Sequence, residues 1–327
     1  METFEILDIM VEDDIEEGYI RIKCKGNIIK YIIIDTNTLG YETPPARCTL
    51  AAKLPELPDG NWTTLHLSKN RKNNQLEFHS PEKVELTGIQ NLWHPVKVNY
   101  FDLHHVKSVN FHVFEVTIRE ERSPSTTSLP PLMIAKICGF PYLIKYLDKE
   151  IETYQKLQGK GIAPEFLGYV TETIGEGIER VVGFLLRKVD GHHALSLSDL
   201  PICTKALRKF HAVTGSVHGD ANRGNFIVKP DGSEALMIDF TFTYEAVGES
   251  MQSEIEGLEE CMKEDDESRR TMGEEEFLKD DLRERIGGMK AMTEEEDQRR
   301  AEIGLDAWIE EKLELVLKGQ DYLFGQG

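Results

Sequence analysis

Apolar and polar positions alternate with a period of two along much of the first half of the chain, the mark of half-buried strands. In Tyr19–Cys24, apolar Ile20, Ile22 and Cys24 interleave with Arg21 and Lys23, and Gly26-Asn27 turns the chain into the apolar run Ile28–Ile34. A second hairpin is predicted from Thr63–Leu67 through a turn at Lys69–Asn74 to Leu76–His79, with loops at Pro44-Pro45 and Leu54–Gly60. Val96–Tyr100 and Val109–Arg119 read as a strand pair joined through Asp102–Ser108, followed by a polar loop at Glu120–Ser128. Leu132–Ile137 is an apolar strand interrupted by one lysine, Lys136. Phe166–Glu172 and Glu179–Arg187 form a further hairpin around Gly175-Glu176-Gly177, a tight turn.

Between these strands the period changes. Leu147, Ile151, Tyr154 and Leu157 recur at helical spacing and define one apolar face. At 100° per residue Glu150 falls inside that face, whereas Glu152 lies opposite, among Lys145, Lys149 and Lys156. A glutamate turned inward needs a cation, and Lys136 is the natural partner. Ile202, Ala206, Phe210 and Val213 mark a second helix ending at Thr214-Gly215, with His192-His193 in the loop that leads to it. Beyond Phe240, helices are predicted around Met251–Lys263, Glu274–Ile286 and Leu305–Leu317. Strands dominate the first half and helices the last part, which predicts an α+β fold.

One stretch joins pattern to chemistry. Phe226–Val228 and Ala235–Ile238 are two short strands, linked by Lys229-Pro230-Asp231-Gly232, where proline presets φ and glycine accepts φ > 0. An antiparallel hairpin sets the start of its first strand beside the end of its second. Asn225 and Asp239 therefore become neighbours, with Asp220 on the loop just before them. Taken alone, Asp220 and Asn225 read as turn formers and Asp239 as a strand-end polar residue. Together, three oxygen-bearing side chains suit a hard cation such as Mg²⁺ and a nearby base.

His218-Gly219-Asp220, Asn225 and Ile238-Asp239-Phe240 together resemble the catalytic and metal-binding loops of the protein-kinase-like superfamily. The His-Gly-Asp form is similar to the aminoglycoside and choline phosphotransferase branch, and the span from Val96 to Phe240 resembles kinase-like proteins of fungi. The resemblance implies a two-lobed fold: a β-rich N-lobe with one main helix at 93–188 and a mostly helical C-lobe with an acidic end at 189–327. Residues 1–92 would then be a β-rich N-terminal extension or an accessory part of the N-lobe. It also implies ATP and Mg²⁺ as cofactors. Lys136, in Ile134-Ala135-Lys136, would hold the α/β-phosphates, steadied by Glu150. Arg187 and Val189 would stand at the hinge that meets the adenine, Asn225 and Asp239 would ligate the metal, and Asp220 would serve as catalytic base for an acceptor hydroxyl. His218 would support the loop.

Three departures bear on that reading. Asp102–Ser108, where a phosphate-covering loop would lie, has no glycine. Asp239-Phe240 is followed by Thr241 instead of glycine, and Asn222 stands where protein kinases usually have lysine, with no Ala-Pro-Glu segment downstream. A regulated protein kinase is therefore disfavoured, and a small-molecule phosphotransferase is expected first. A catalytically impaired kinase-like scaffold is the alternative. The chain also lacks GxxxxGK[ST], which excludes a Walker-type nucleotide protein.

Composition narrows the partners. The net charge is −20, and from Glu249 to Gly327 there are 25 acidic against 11 basic residues, so phosphate-driven nucleic-acid binding is not expected. The five cysteines are scattered without CxxC spacing and read as reduced. No apolar run is long enough for a bilayer, and Met1–Glu5 has no basic flank before an apolar stretch. A cytoplasmic protein with a small-molecule partner and no membrane is the expectation.

Overall fold

The period-two segments of the first half pair into one curled, eleven-stranded sheet. The computed structural model of the chain describes residues 4–11, 17–35, 38, 47–110, 112–119, 129–175, 177–194, 197–272, 279, 283, 286 and 294–317. The extension contributes β1 (Glu5–Met10), β2 (Gly18–Cys24), β3 (Ile28–Ile34), β4 (Thr64–Lys69) and β5 (Leu76–Phe78), with the short helix α1 (Arg47–Ala51) between β3 and β4. Then follow β6 (Lys97–Asn99), β7 (Leu103–Asn110), β8 (Val113–Ile118), β9 (Met133–Ile137), helix α2 (Pro141–Leu157), β10 (Phe166–Ile174) and β11 (Ile178–Arg187). The main sheet runs β1-β2-β3-β10-β11-β9-β8-β7.

Both predicted extension hairpins form: β2 pairs antiparallel with β3, and β4 with β5. Lys30, the charge that interrupts β3, is 4% exposed, donates to the Gly60 carbonyl and lies over the Trp62 ring. The strand pairing crosses the boundary expected near residue 92, because β3 joins β10 in parallel at Ile28↔Thr173 and Ile29↔Ile174.

Two expected connections differ. Val96–Tyr100 does not form a hairpin with Val109–Arg119; β6 instead lies parallel to β10. Gly168, at φ +150°, permits this, since a Cβ there would come within 2.8 Å of the Val96 carbonyl. The segment expected as the joining loop, Asp102–Ser108, is largely strand β7, paired with β8 in a register that shifts twice. β7 runs on to Asn110 and β8 starts at Val113, just after His112, which takes φ 62°. The apolar residues Leu103, Val106 and Val109 of β7 recur every third position, and the buried Leu103 and Ser108 lie five apart across a register shift, so β7 carries no period-two signal. His192-His193 is likewise a two-residue strand, β12, not a loop.

The rest is helix with small sheets: α3 (Leu200–Thr214), β13 (Ser216–Val217), β14 (Phe226–Val228), β15 (Ala235–Met237), β16 (Tyr244–Glu245), α4 (Ser250–Met272), α5 (Glu294–Ile303) and α6 (Leu305–Leu317). The architecture is thus mixed α+β. The expected loop Glu120–Ser128, and the expected helix Glu274–Ile286 except Lys279, Arg283 and Ile286, lie outside the described residues.

Helix α2 starts with proline in its first turn, where the missing N–H is no loss, and buries Ile144, Leu147, Glu150, Ile151, Tyr154 and Leu157. Each large apolar side chain so buried contributes roughly 1.5–3 kcal/mol. Helix α3 stops at Gly215, whose left-handed φ of 68° lets its N–H bond the His211 carbonyl. The faces of α2 and α3 meet in one core with Phe166, Phe184, Phe226 and Phe240. No described helix is long and apolar enough to cross a membrane.

Candidate active site

The hairpin β14–β15 carries the register read from sequence. Phe226 faces Met237, and the Ile238 N–H bonds the Asn225 carbonyl at 3.0 Å, so Asp239 follows directly beside Asn225. Asn225 sits in a single 3-10 turn, Arg223–Asn225, capped by the Asn222 side chain accepting from Gly224 N–H. The Asn225 amide donates to Asp220 Oδ2 at 3.0 Å and to the Asp220 carbonyl at 2.8 Å. Asn222 Nδ2 donates to Asp220 Oδ1 at 2.8 Å. Asp220 is thus oriented by two carboxamides, while Asn225 keeps its Oδ1 free of protein hydrogen bonds among the described residues.

Lys136 lies in β9 between Val113 of β8 and Phe184 of β11. Its ammonium is 2.8 Å from Glu150 Oε2 and 2.8 Å from Asp239 Oδ1. Glu150 is 1% exposed, which confirms the inward position read from the helical wheel. Burial works against the Lys136 charge, but the two carboxylates outweigh it and hold the lysine protonated far above its usual range. Burial raises the Glu150 carboxyl against the pull of Lys136, and Asp239 adds to that rise. For Asp239, burial is outweighed by Lys136 and by the Thr241 hydroxyl, so its carboxyl lies below the ordinary range. Asp239 holds φ 60°, a left-handed backbone that costs a non-glycine residue about 1 kcal/mol and persists where side-chain contacts fix it.

Other residues lock this arrangement. His218 is fully buried and its Nε2 donates to the Ile238 carbonyl at 2.9 Å; burial lowers its pKa, so the ring is neutral and ties loop to hairpin. Gly219 has φ +82°, and a Cβ there would stand 2.3 Å from the Phe242 carbonyl, which explains glycine between His218 and Asp220. Phe240, also fully buried, stacks on Phe210 at 5.5 Å and meets Tyr154 edge-on at 5.1 Å, linking α3 to α2.

The hinge residues divide. Arg187 gives its N–H to the Glu165 carbonyl and its guanidinium to Glu165 Oε2 at 2.6 Å, on the surface and apart from the lysine cluster. Val189 follows β11 with no partner for its N–H or C=O among the described residues. On the sheet face shared with Lys136, register places Ile134 and Glu115 side by side, and Lys188 Nζ is 3.0 Å from Glu115 Oε1.

Two contributors were not read from sequence as parts of the site. Thr241 lies 2.8 Å from Asp239 Oδ1 and 3.2 Å from Glu150 Oε2, although its sequence signal was only a missing glycine. Glu254 of α4 accepts from the N–H groups of His218 at 3.0 Å and Gly219 at 2.6 Å, and pairs with His211 Nε2 at 2.6 Å. The available signal was its place beside the apolar stripe Ile255, Leu258 and Met262 in an otherwise solvated acidic helix.

Burial raises the Glu254 carboxyl, but His211 and the two backbone donors outweigh it and bring it below the ordinary 4.5. A lowered carboxylate contributes stability that is present above its unfolded value and lost as pH falls through the folded one. Glu254→Gln is therefore expected to cost about 1–2 kcal/mol at neutral pH and less in acid. Urea midpoints of both proteins at neutral pH and at about pH 3.5 measure the difference; a gap that does not shrink in acid contradicts it.

The donor set at this end of the hairpin is one carboxamide oxygen and carboxylates, a hard-oxygen set that fits Mg²⁺ completed by phosphate oxygens and water. Among the described residues, no three His, Cys, Asp or Glu side chains form an all-protein metal cage, and His192-His193 gains no third ligand. No protein-family model matches the chain, and no curated protein matches it.

Proposed function

We propose that this protein is an ATP- and Mg²⁺-dependent phosphotransferase of two-lobed, protein-kinase-like build that transfers the γ-phosphoryl group to a hydroxyl of a small molecule. The observation that carries this is the convergence on Lys136 of Glu150, 14 residues away, and Asp239, 103 residues away. A half-buried lysine held between a helix carboxylate and a hairpin carboxylate is more than a structural ion pair requires, and it supplies the cation a polyphosphate needs. The strand order β7-β8-β9-β11-β10, with the Glu150 helix between β9 and β10, supports a kinase-like N-lobe.

In this reading Lys136, kept in place by Glu150, would hold phosphate oxygens. Asn225 and Asp239 would hold Mg²⁺, which would supply positive charge against that developing in phosphoryl transfer. Asp220, fixed by Asn222 and Asn225, orients the acceptor hydroxyl and takes its proton. The free backbone groups of Val189 meet the base, and Arg187 supports the strand end from outside.

Two observations favour the catalytically impaired scaffold as a second reading. His112, in the place of a phosphate-covering loop, is 6% exposed and its carbonyl accepts the Ile137 N–H of β9 at 2.8 Å. The Glu115–Lys188 pair stands where a base would lie.

Mg-ATP separates the two. At a concentration 100-fold above Kd a ligand adds roughly 2.7 kcal/mol, a clear rise in Tm by scanning fluorimetry. The shift is expected in the wild type and absent in Lys136→Met and Asp239→Asn. A wild type indifferent to millimolar Mg-ATP removes the enzyme reading.

A further inference from the structure

The outer side of helix α2 carries a contact that the catalytic reading does not use. Asp148 and Glu150 are two residues apart and so about 200° apart on the helix, facing opposite ways. Asp148 Oδ1 accepts the N–H groups of Gln90 at 3.1 Å and Asn91 at 2.8 Å, and Asn91 Nδ2 donates to Gln155 Oε1 at 3.2 Å.

The segment that reaches α2 in this way is itself fixed to the sheet. Arg180 Nη1 donates to the Thr87 carbonyl at 3.0 Å, and Ile89, 2% exposed, gives its N–H to Val181 at 2.9 Å. A Cβ on Gly88 would come within 2.9 Å of the Val181 carbonyl, so backbone lies directly on backbone. Tyr169 donates to the Asn91 carbonyl at 3.0 Å and accepts from Trp93 N–H at 2.8 Å. At the other end of α2, the Arg180 guanidinium also bonds the carbonyl of Gly139, the link between the Lys136 strand and the Glu150 helix. Residues 87–93 are therefore referenced to β11, the strand beside β9, and to β10 next to it, and they touch α2 on the face away from Lys136.

We propose that residues 87–93 are a built-in brace for α2, and that Asp148 is the positioning residue through which the brace holds Glu150 against Lys136. The apolar face of α2 resists its lifting from the core, but a hydrophobic contact tolerates sliding and rotation. The two hydrogen bonds to Asp148 fix register, which the Lys136–Glu150 pair at 2.8 Å requires. The extension thus supplies in the same chain an ordering contact for the helix, and no second protein is needed to seat it. The inference rests on the phosphotransfer reading for its catalytic consequence, though not for its structural one.

The test compares full-length wild type, Asp148→Ala and Asp148→Asn. Alanine removes the acceptor; the asparagine amide oxygen still accepts both N–H groups, so it acts as the rescue. Asp148→Ala is expected to speed amide exchange in peptides spanning Pro141–Leu157 and to lower kcat about tenfold with KM for Mg-ATP within about threefold. Asp148→Asn is expected to recover most of both. Unchanged exchange in Asp148→Ala overturns the brace, and unchanged kcat in a turnover-competent protein overturns the positioning role. If the wild type itself turns over no nucleotide, the phosphotransfer reading fails, and the exchange comparison still decides the brace.

Discussion

Asp220→Asn is expected to lower kcat for phosphoryl transfer by roughly 10²–10⁴ while nucleotide binding persists, because the general base contributes to the chemical step and not to holding ATP. The surroundings of Asp220 make the distinction measurable. Its two carboxylate oxygens accept from Asn222 and Asn225, so an amide in its place loses one acceptor and turns an NH₂ toward one of them. That costs about 1 kcal/mol, small against a fold whose core lies elsewhere. Single-turnover assays with thermal shifts on the same samples make the comparison. Near-normal turnover in Asp220→Asn would remove Asp220 as the base. Arg187→Ala serves as the contrast: its guanidinium pairs with Glu165 on the surface, and kcat is expected to change less than about threefold.

What the sequence revealed about this site depended on distance along the chain. Asn225 and Asp239 are joined by one hairpin whose turn is spelled by Pro230 and Gly232, and local rules sufficed to put them together. Glu150 was legible because a charged residue inside an apolar helical face is an anomaly that asks for a cation. Glu254 and Thr241 were not, because their roles depend on where α4 and the strand end settle against the loop, a tertiary outcome with no local period. Register errors had the same origin. Between β7 and β8 the chain has no glycine, and His112 takes φ 62° while its carbonyl accepts the Ile137 N–H, so no local turn residue marked where β7 ends.

The extension shows the limit most clearly. Alternation in Tyr19–Cys24 predicts that Arg21 points away from Ile20 and Ile22, the usual solvent-facing place for an arginine. In the structure that side is covered as well: Arg21 is 3% exposed, with its guanidinium over the Tyr100 ring. A two-faced burial of β2 is visible only once β3 joins β10 and brings Glu172 across. The same pairing makes the extension continuous with the sheet that carries Lys136, and it sets up a buried electrostatic node.

At that node Glu172 is fully buried and accepts from Arg21 Nε at 2.8 Å, Arg180 Nε at 2.7 Å and the Tyr31 hydroxyl at 2.7 Å. Burial alone would raise its carboxyl; the two guanidinium groups and Tyr31 outweigh it and bring the carboxyl below the ordinary range. Removing the acid leaves two desolvated cations without a counter-charge, so Glu172→Ala is expected to destabilise by about 3–5 kcal/mol. Glu172→Gln keeps an acceptor and is expected to cost less. Because the folded carboxyl is lowered, the contribution is present above the unfolded value near 4.5 and fades as pH falls through the folded one, so the gap between wild type and Glu172→Ala narrows in acid. The triple replacement Arg21→Met, Glu172→Leu, Arg180→Met should recover much of the loss at neutral pH, since the penalty lies in unpaired charge and not in the absence of ions. Urea unfolding of wild type and these variants decides it: a Glu172→Ala cost below about 1 kcal/mol would mean that water reaches the arginines and that the join between extension and sheet is looser than its hydrogen bonds imply.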